Sequence, residues 1–456
     1  MAKRSTLEGI FEKVSAAVTP HSTESLKEKK LALKLVSLLE PSLPKGTKVF
    51  FVGSTARDTG LAGDRDIDLF ACFPQSYSRE QIVSLTAASL RAIPGKWVMH
   101  YAEHPYYQSL VEGYAVEVIP CFQIGANATL KSAVDRSPLH MDYLQKRLSA
   151  SQKRDVRVLK QLLKTHGIYG AEASIGGFSG LLCEYLVLNY RSLEKLLQES
   201  SSWSPPVLVD IEAAYFGKPP KEVSEHFGNA PLVVVDAIDS NRNAAAAVSR
   251  DSLASFISLS HAFIANPKET LFFKSPPQKI NCEKLLSSRK TIFVLLEFPL
   301  PKDLVEDVFA PQLKKTCVSL ATALSSEGFR MIGHHHDFDS QKAVFLLESA
   351  DAFLPAVRQY RGPPAFMHAA SQKFVASHLK PLRGPFIEEG RIVVEELGEQ
   401  EKFAAVVKKL LSSKKISIGP SIEKQFRKAT FVEAKNAAGI AKTCLESYLA
   451  KKAGWL

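Results

Sequence analysis

Cysteine is scarce in this sequence, and its spacing excludes two common uses. The 456 residues include 6 cysteines, and no two of them form a C-x-x-C pair, so a zinc ribbon and a thioredoxin-type redox motif are both excluded. So few cysteines cannot build a disulfide scaffold, which favours a reducing compartment. The sequence also lacks an apolar run of about 18 residues that could span a membrane and an apolar signal segment after Met1. We therefore expect a cytoplasmic protein with no membrane partner.

Acidic residues are outnumbered by basic ones, and the excess lies mostly at one end. Lys and Arg number 58 against 47 Asp and Glu, which gives a net charge of +11. Residues 401–456 hold eleven Lys and one Arg against four Glu, so they carry +8 of that excess. A basic stripe of this kind neutralises nucleic-acid phosphates, although a solvated helix face has the same composition. We expect RNA contacts from four lysines of this segment: Lys408, Lys409, Lys414 and Lys415.

Apolar periodicity in the first part of the chain indicates a small sheet with flanking helices. Helical spacing runs through the first forty residues to Pro41. Strands are predicted at 49–52, 67–72, 97–102 and 115–120. The pattern then becomes helical from about 142 to 197, and a strand at 231–235 precedes a predicted helix at 242–265.

The last third of the sequence alternates between strand and helix patterns. Strands are predicted at 291–298, 342–347 and 392–397, a helix at 310–328, and helix from about 400 to the end. The run His334-His335-His336 is interpreted as an exposed turn, because consecutive histidines on a loop rarely converge on one ion. The fold class is therefore a multidomain α+β protein. Its predicted parts are a head over 1–145, a central helical domain over 146–265, and a C-terminal body and tail over 266–456.

The sharpest motif combines a Gly-Ser turn with a pair of aspartates. Gly53 and Ser54 follow an apolar strand, and a helix start at this point would favour a phosphate group. Asp66 and Asp68 alternate along the next strand, so both carboxylates face the same side of the sheet. Carboxylates that share a site with phosphate oxygens are typical Mg²⁺ ligands. A third acid, Glu117, lies in a later apolar strand; each of these residues could instead be a helix cap or part of a solvated edge.

This order of motifs resembles the nucleotidyltransferase superfamily that includes DNA polymerase β, and nearly the whole chain resembles the archaeal-type (class I) CCA-adding enzymes, which are tRNA nucleotidyltransferases. Two segments, GIYGAE at 167–172 and GFSGLLCE at 177–184, make the second resemblance specific. The other matching segments are FVGSTARDT at 51–59, DIDLF at 66–70, YAEHPYY at 101–107, VEVIPCF at 116–122, SAVDRSPLH at 132–140 and VVDAIDSNRNAAA at 234–246.

The resemblance implies a polymerase-β-like head and a role for individual residues. Two Mg²⁺ ions would be held by Asp66, Asp68 and Glu117. Contacts to the nucleotide triphosphate and ribose fall on Gly53, Ser54, Arg57, Ser137, His140, Lys160 and Tyr169. Arg242 corresponds to the contact with the incoming base and the RNA end. The sequence departs from the family at three positions: Asp66 stands where Glu is frequent, Glu117 where Asp is usual, and Ser137 where Thr is usual.

The function implied is template-independent addition and repair of the 3′-terminal CCA of tRNA, with CTP and ATP as substrates. The RNA partner would be tRNA that lacks all or part of its CCA; the oligomeric state stays open, with a homodimer as one option. A poly(A)- or oligoadenylate-type polymerase with the same head is the first alternative. A catalytically silent RNA-binding relative and a small-molecule nucleotidyltransferase are further alternatives, of which the large basic C-terminal part disfavours the last.

Overall fold

The computed structural model describes residues 2–101, 104–124, 131–172, 174–273, 280–301 and 306–456. The chain divides into two units. Unit 1 comprises residues 1–276 together with 453–456, and unit 2 comprises residues 277–452. Both units contain helices and sheets, which confirms the α+β class. The helices of the described residues include no candidate for a membrane-spanning segment.

The first part of unit 1 is built around a five-stranded sheet in the order β1-β2-β5-β4-β3. Strands β2 and β5 are parallel, whereas β1–β2, β4–β5 and β3–β4 are antiparallel pairs. The elements are α1 Ala2–Val18, α2 Ser22–Leu39, β1 Lys48–Val52, α3 Gly53–Ala56, β2 Asp66–Phe73, α4 Arg79–Ser89, β3 Val98–Tyr101, β4 Pro105–Val111, β5 Tyr114–Phe122 and α5 Ser137–Arg147.

Two predictions for this region are corrected. The single helix predicted for the first forty residues is two helices, because Pro20 lies in the break between α1 and α2 and a proline cannot donate the helical hydrogen bond. Strand β4 was not predicted. It pairs with β5 through a tight turn at Glu112 and Gly113, where both residues have positive φ, 52° and 84°, the backbone that two-residue hairpins favour.

The second part of unit 1 is mainly helical, with a two-stranded parallel sheet. Its core also includes apolar side chains of α1, and the ring centroids of Phe11 and Phe263 lie 5.9 Å apart. The elements are α6 Ala150–Thr165, α7 Gly180–Tyr190, α8 Leu193–Ser200, β6 Val207–Asp210, α9 Pro220–His226, β7 Leu232–Val235 and α10 Arg250–Ala265.

The helix predicted at 242–265 begins eight residues later, at Arg250. The side chain of Asn243 draws the preceding segment onto β7: its Oδ1 accepts from Val234 N and its Nδ2 donates to Leu232 O, both at 2.9 Å. Ser249 then caps the helix by accepting a hydrogen bond from Ser252 N, as an N-cap serine does. The segment 236–242 is therefore a loop that leaves the end of β7.

Unit 2 contains a four-stranded sheet in the order β14-β8-β10-β9 and a three-stranded sheet in the order β11-β13-β12. The elements are α11 Cys282–Arg289, β8 Ile292–Pro299, α12 Glu306–Glu327, β9 Met331–Phe338, β10 Lys342–Ser349, β11 Val357–Pro364, α13 His368–Ser377, β12 Arg383–Glu388, β13 Arg391–Leu397, α14 Phe403–Leu411, α15 Glu423–Phe426, β14 Thr430–Val432 and α16 Gly439–Leu449.

Two predictions for unit 2 are wrong. The run His334–His336 lies inside β9 and pairs with β10, so it is not an exposed turn. Burial lowers the pKa of His336 to about 4. The segment after residue 400 is not all helical, because Thr430–Val432 forms β14 on the edge of the four-stranded sheet beside β8.

Candidate active site

The two predicted aspartates lie on β2, and the third acid lies beside them on β5. In the parallel register Asp68 is directly opposite Glu117, so all three acids occupy the same face of the sheet. Desolvation, and then the negative charge of Asp66, raise the pKa of Asp68 to about 6. Desolvation and the nearby Asp64 also raise the pKa of Asp66. A cation at this face would remove that electrostatic cost, so the donor set fits a divalent metal ion.

Gly53 allows the aspartate to approach the start of α3. Its φ is +83°, and a Cβ built there would lie 2.0 Å from Oδ2 of Asp68. Any other residue would therefore collide with the carboxylate as well as strain the backbone. Ser54 follows directly in the first turn of α3, half-buried, which places a hydroxyl-bearing residue next to the glycine that the Asp68 carboxylate approaches.

The third acid, Glu117, is held by a side chain of the neighbouring strand β4. Oε1 of Glu117 accepts a hydrogen bond of 3.0 Å from Nε2 of Gln108 on β4. Within the described ranges, no three His, Cys, Asp or Glu side chains lie together in a way that could hold a metal ion by themselves. Mg²⁺ sites built on one or two carboxylates take their remaining ligands from water and from substrate oxygens.

Arg57 and Lys160 meet in a buried charge cluster around Glu184. The Nε of Arg57 donates to Oε1 of Glu184 at 2.9 Å, and the hydroxyl of Thr59 donates to the same oxygen at 2.5 Å. Nζ of Lys160 donates to the carbonyl of Thr59 at 2.9 Å. Lys160 is 1% exposed and Glu184 is 0% exposed, so both predicted phosphate ligands belong to a cluster centred on a carboxylate that the sequence interpretation did not single out.

Tyr169 and Lys160 converge on the start of α7. A Cβ built on Gly180 would lie 3.3 Å from the hydroxyl oxygen of Tyr169 and 3.5 Å from Nζ of Lys160. Burial lowers the pKa of the Lys160 ammonium, whereas the nearby Glu184 opposes that change. The structure thus brings Arg57, Lys160 and Tyr169 into one neighbourhood; their contact with the nucleotide stays a prediction.

His140 and Arg242 are brought together by a second buried carboxylate, Asp236. Nε2 of His140 lies 2.9 Å from Oδ1 of Asp236, and Nη1 of Arg242 lies 2.5 Å from Oδ2. Asp236 was not identified from the sequence as the centre of a cluster. Ser137 is the first residue of α5, one turn before His140, and is half-buried.

The four predicted RNA-binding lysines fall into two groups in unit 2. Nζ of Lys409 pairs with Glu401, and Nζ of Lys415 lies 2.6 Å from Glu327. Lys408 and Lys414 are exposed, and no acidic side chain of the described residues pairs with either. Their predicted contact with RNA stays a prediction, but the two unpaired lysines are the better placed to reach a phosphate.

Three family models match consecutive parts of the chain. A nucleotidyltransferase domain matches residues 29–140, the second domain of tRNA nucleotidyltransferase matches residues 154–273, and the C-terminal domain of CCA-adding enzyme matches residues 289–434. The first match covers the sheet with Asp66, Asp68 and Glu117, and the second covers Lys160 and Asp236. The nucleotidyltransferase head expected from the sequence is thereby confirmed.

Curated relatives match over most of their length. A CCA-adding enzyme of Haloarcula marismortui is 35% identical over 410 residues, which is 85% of this chain and 86% of that protein. A CCA-adding enzyme of Pyrobaculum islandicum is 35% identical over 86% of this chain and 90% of its own. A third, of Halorubrum lacusprofundi, is 33% identical over 92% of this chain and 93% of its own.

Proposed function

The chain belongs to the family of CCA-adding enzymes, and we propose that it builds and repairs the 3′-terminal CCA of tRNA from CTP and ATP. The observation that carries this proposal is the identity of 35% to a CCA-adding enzyme over 85% of the chain. The predicted acids Asp66 and Asp68 are present on one strand beside Gly53. This retention argues against a catalytically silent relative.

In the proposed reaction the 3′-hydroxyl oxygen of the tRNA attacks the α-phosphorus of the nucleotide. A new phosphorus–oxygen bond forms, the bond from the α-phosphorus to the bridging oxygen of the β-phosphate breaks, and pyrophosphate leaves with the electron pair. The hydroxyl proton passes to the surrounding water. A nucleotidyltransferase head depends on divalent metal, and the proposed two Mg²⁺ ions would lower the pKa of the hydroxyl and neutralise the triphosphate. Asp66, Asp68 and Glu117 would hold these ions.

The triphosphate would lie against the start of α3. Gly53 and Ser54 offer backbone N–H groups and a hydroxyl, while Arg57 and Lys160 supply positive charge from the buried cluster. Phosphates are favoured where N–H groups and cations point the same way. Ser137 and Tyr169 are assigned to the same substrate on the family resemblance, which their positions at the start of α5 and near the start of α7 support.

The contact with the incoming base and the RNA end is assigned to Arg242, and His140 is assigned to the triphosphate and ribose, both on the family resemblance. Both side chains belong to the Asp236 cluster. Arg242 lies in the part of the chain that matches the second domain of tRNA nucleotidyltransferase, and His140 is the last residue of the part that matches a nucleotidyltransferase domain. The grip on the tRNA body is assigned to unit 2, with Lys408 and Lys414 as candidate phosphate contacts. A basic surface of this kind binds phosphates without reading sequence.

The test uses three tRNAs, ending at the discriminator base, at C and at CC, each with a single labelled nucleotide. We expect CTP to be added to the first two and ATP to the third alone, with one A added. Long A tails on any RNA would instead support the poly(A)-type alternative. Addition of neither nucleotide to any tRNA would contradict the proposal.

A further inference from the structure

The loop that carries Arg242 is fixed at two points one helical turn apart, namely His140 of α5 and Arg136, the residue that precedes this helix. Oδ1 of Asp236 lies 2.9 Å from Nε2 of His140, and Oδ2 of Asp239 lies 2.5 Å from Nη1 of Arg136. The loop is also closed on itself, since Asp236 N donates to the carbonyl of Arg242 at 3.0 Å and Arg242 N donates to the carbonyl of Asp239 at 2.9 Å. The path of the loop is thus set by both backbone and side chains.

Asp236 is the better buried of the two carboxylates, with its side chain 0% exposed. Besides His140 it accepts hydrogen bonds from the hydroxyl of Tyr185 at 3.1 Å and from Ile238 N at 2.9 Å. Burial alone would raise the pKa of Asp236, but hydrogen bonds from His140, Ile238 and Arg242 hold it well below its usual range. A charged carboxylate is therefore stably present at the end of β7.

The guanidinium of Arg242 is oriented by this carboxylate. Nη1 donates to Oδ2 of Asp236, while the side chain as a whole remains 35% exposed. An arginine has five N–H donors in a rigid fork, so fixing one end at Asp236 fixes the direction of the donors that stay in solvent. Without the carboxylate, the long side chain would sample other rotamers.

We propose that Asp236, with Asp239 in support, is a positioning residue for base selection: it aims the exposed donors of Arg242 at the Watson–Crick edge of the incoming nucleotide. This inference rests on the proposed function and extends it, because it names the residue that holds the guanidinium of Arg242 in one direction. Asp236 itself stays buried and acts through Arg242. A purely structural carboxylate would affect stability and turnover without changing the choice of nucleotide.

The test measures kcat and KM for CTP and for ATP on tRNA ending in CC, where ATP is the correct substrate. For Asp236→Asn we expect KM for ATP to rise and the ratio of correct to incorrect kcat/KM to fall about tenfold to hundredfold, the value of one hydrogen bond to a charged group. The matched control is Asp155→Asn. Asp155 is also buried, and its carboxylate pairs with Arg154 and accepts from Leu193 N at 2.9 Å.

A double-substitution cycle separates positioning from a general loss of structure. If Asp236 acts through Arg242, then Asp236→Asn, Arg242→Ala and the double variant show the same reduced discrimination. Unchanged discrimination in Asp236→Asn, an equal loss in Asp155→Asn, or multiplicative losses in the double variant would each overturn the inference. If Asp236→Asn does not fold, Asp239→Asn is measured in its place. We expect Asp239→Asn to lose less discrimination than Asp236→Asn would. Unchanged discrimination in Asp239→Asn would contradict the inference. A wild type that adds neither nucleotide would count against the proposed function instead.

Discussion

Replacement of Glu184 by Gln tests whether the buried charge cluster serves the triphosphate. Glu184 accepts hydrogen bonds from Arg57 and Thr59, and its second oxygen, Oε2, is buried without a hydrogen-bond partner among the described residues. Gln keeps the shape of the side chain but removes its charge. Arg57 and Lys160, which are 8% and 1% exposed, would then carry buried positive charge without compensation.

The expected loss of stability follows from that burial. Removing one partner of a buried ion pair costs about 3 to 5 kcal/mol, and we expect Glu184→Gln to fall near the lower value because Gln can still accept from Thr59. Burial alone would raise the pKa of Glu184, but Arg57 and Lys160 lower it from 4.5. The stabilisation is therefore present above pH 4.5 and is lost as the pH falls through the lower, folded pKa. At acid pH, the free energy of unfolding should therefore change less steeply with pH in Glu184→Gln than in the wild type.

A buried glutamate of unit 2 supplies a closely matched control, Glu348→Gln. Glu348 is also 0% exposed and accepts hydrogen bonds from Arg289, from the hydroxyl of Thr291 and from the hydroxyl of Tyr448. Unit 2 contains none of the residues predicted to bind the nucleotide, so this substitution should affect stability alone.

The assay pairs urea unfolding with steady-state kinetics. Both variants should lose stability, but Glu184→Gln alone should raise KM for CTP and for ATP by about tenfold, since Arg57 no longer has the carboxylate that orients it. Equal KM values in wild type and Glu184→Gln, or an equal rise in Glu348→Gln, would refute this reasoning.

Three shorter predictions concern other parts of the molecule. Gly53→Ala should abolish nucleotide addition in a protein that still folds, because its Cβ would lie 2.0 Å from Oδ2 of Asp68; activity within a few-fold of wild type would contradict this. Glu117→Asp should retain activity in the labelled-nucleotide assay, because it restores the residue usual in the family, and Glu117→Gln should not; equal activities would remove Glu117 from the metal-binding set. Substitution of Lys408 and Lys414 by Ala should weaken tRNA binding and make the slope of log K against log[salt] shallower by roughly 0.7 to 0.9 for each lysine that binds a phosphate, and identical slopes would exclude both lysines.

The sheet and its acids could be predicted because their signals are local. Strands near 49–52, 67–72 and 115–120 follow from short apolar runs, and the structure has β1, β2 and β5 there. The alternation of Asp66 and Asp68 places both on one face whatever the rest of the fold does. Strand β4 was not predicted because its sequence starts with proline and includes Gln108 and Ser109, which interrupt the apolar pattern of a strand. The sequence feature that could have indicated it is the turn at Glu112-Gly113.

The two carboxylate clusters could not be predicted, because they depend on contacts distant in sequence. Glu184 lies 127 residues after Arg57, and Asp236 lies 96 residues after His140. A charged residue in the apolar helix α7 was the available signal for Glu184, since such residues are rarely buried unless paired. Lys160 was assigned to a phosphate contact by resemblance. Its burial against the carbonyl of Thr59 could not be predicted, because this contact also joins residues that are distant in sequence.

The assignment of the active site to the sheet face that carries Asp68 is tested most directly by comparing the wild type with Asp68→Ala. Both proteins are given tRNA that ends in CC, labelled ATP and Mg²⁺, and their affinity for tRNA is measured in parallel. The wild type is expected to add one A and stop. Asp68→Ala should add none and yet bind tRNA with nearly unchanged affinity, because the carboxylate serves the metal and the triphosphate and not the body of the tRNA. Turnover by Asp68→Ala close to that of the wild type would contradict the assignment of the active site to this face of the sheet.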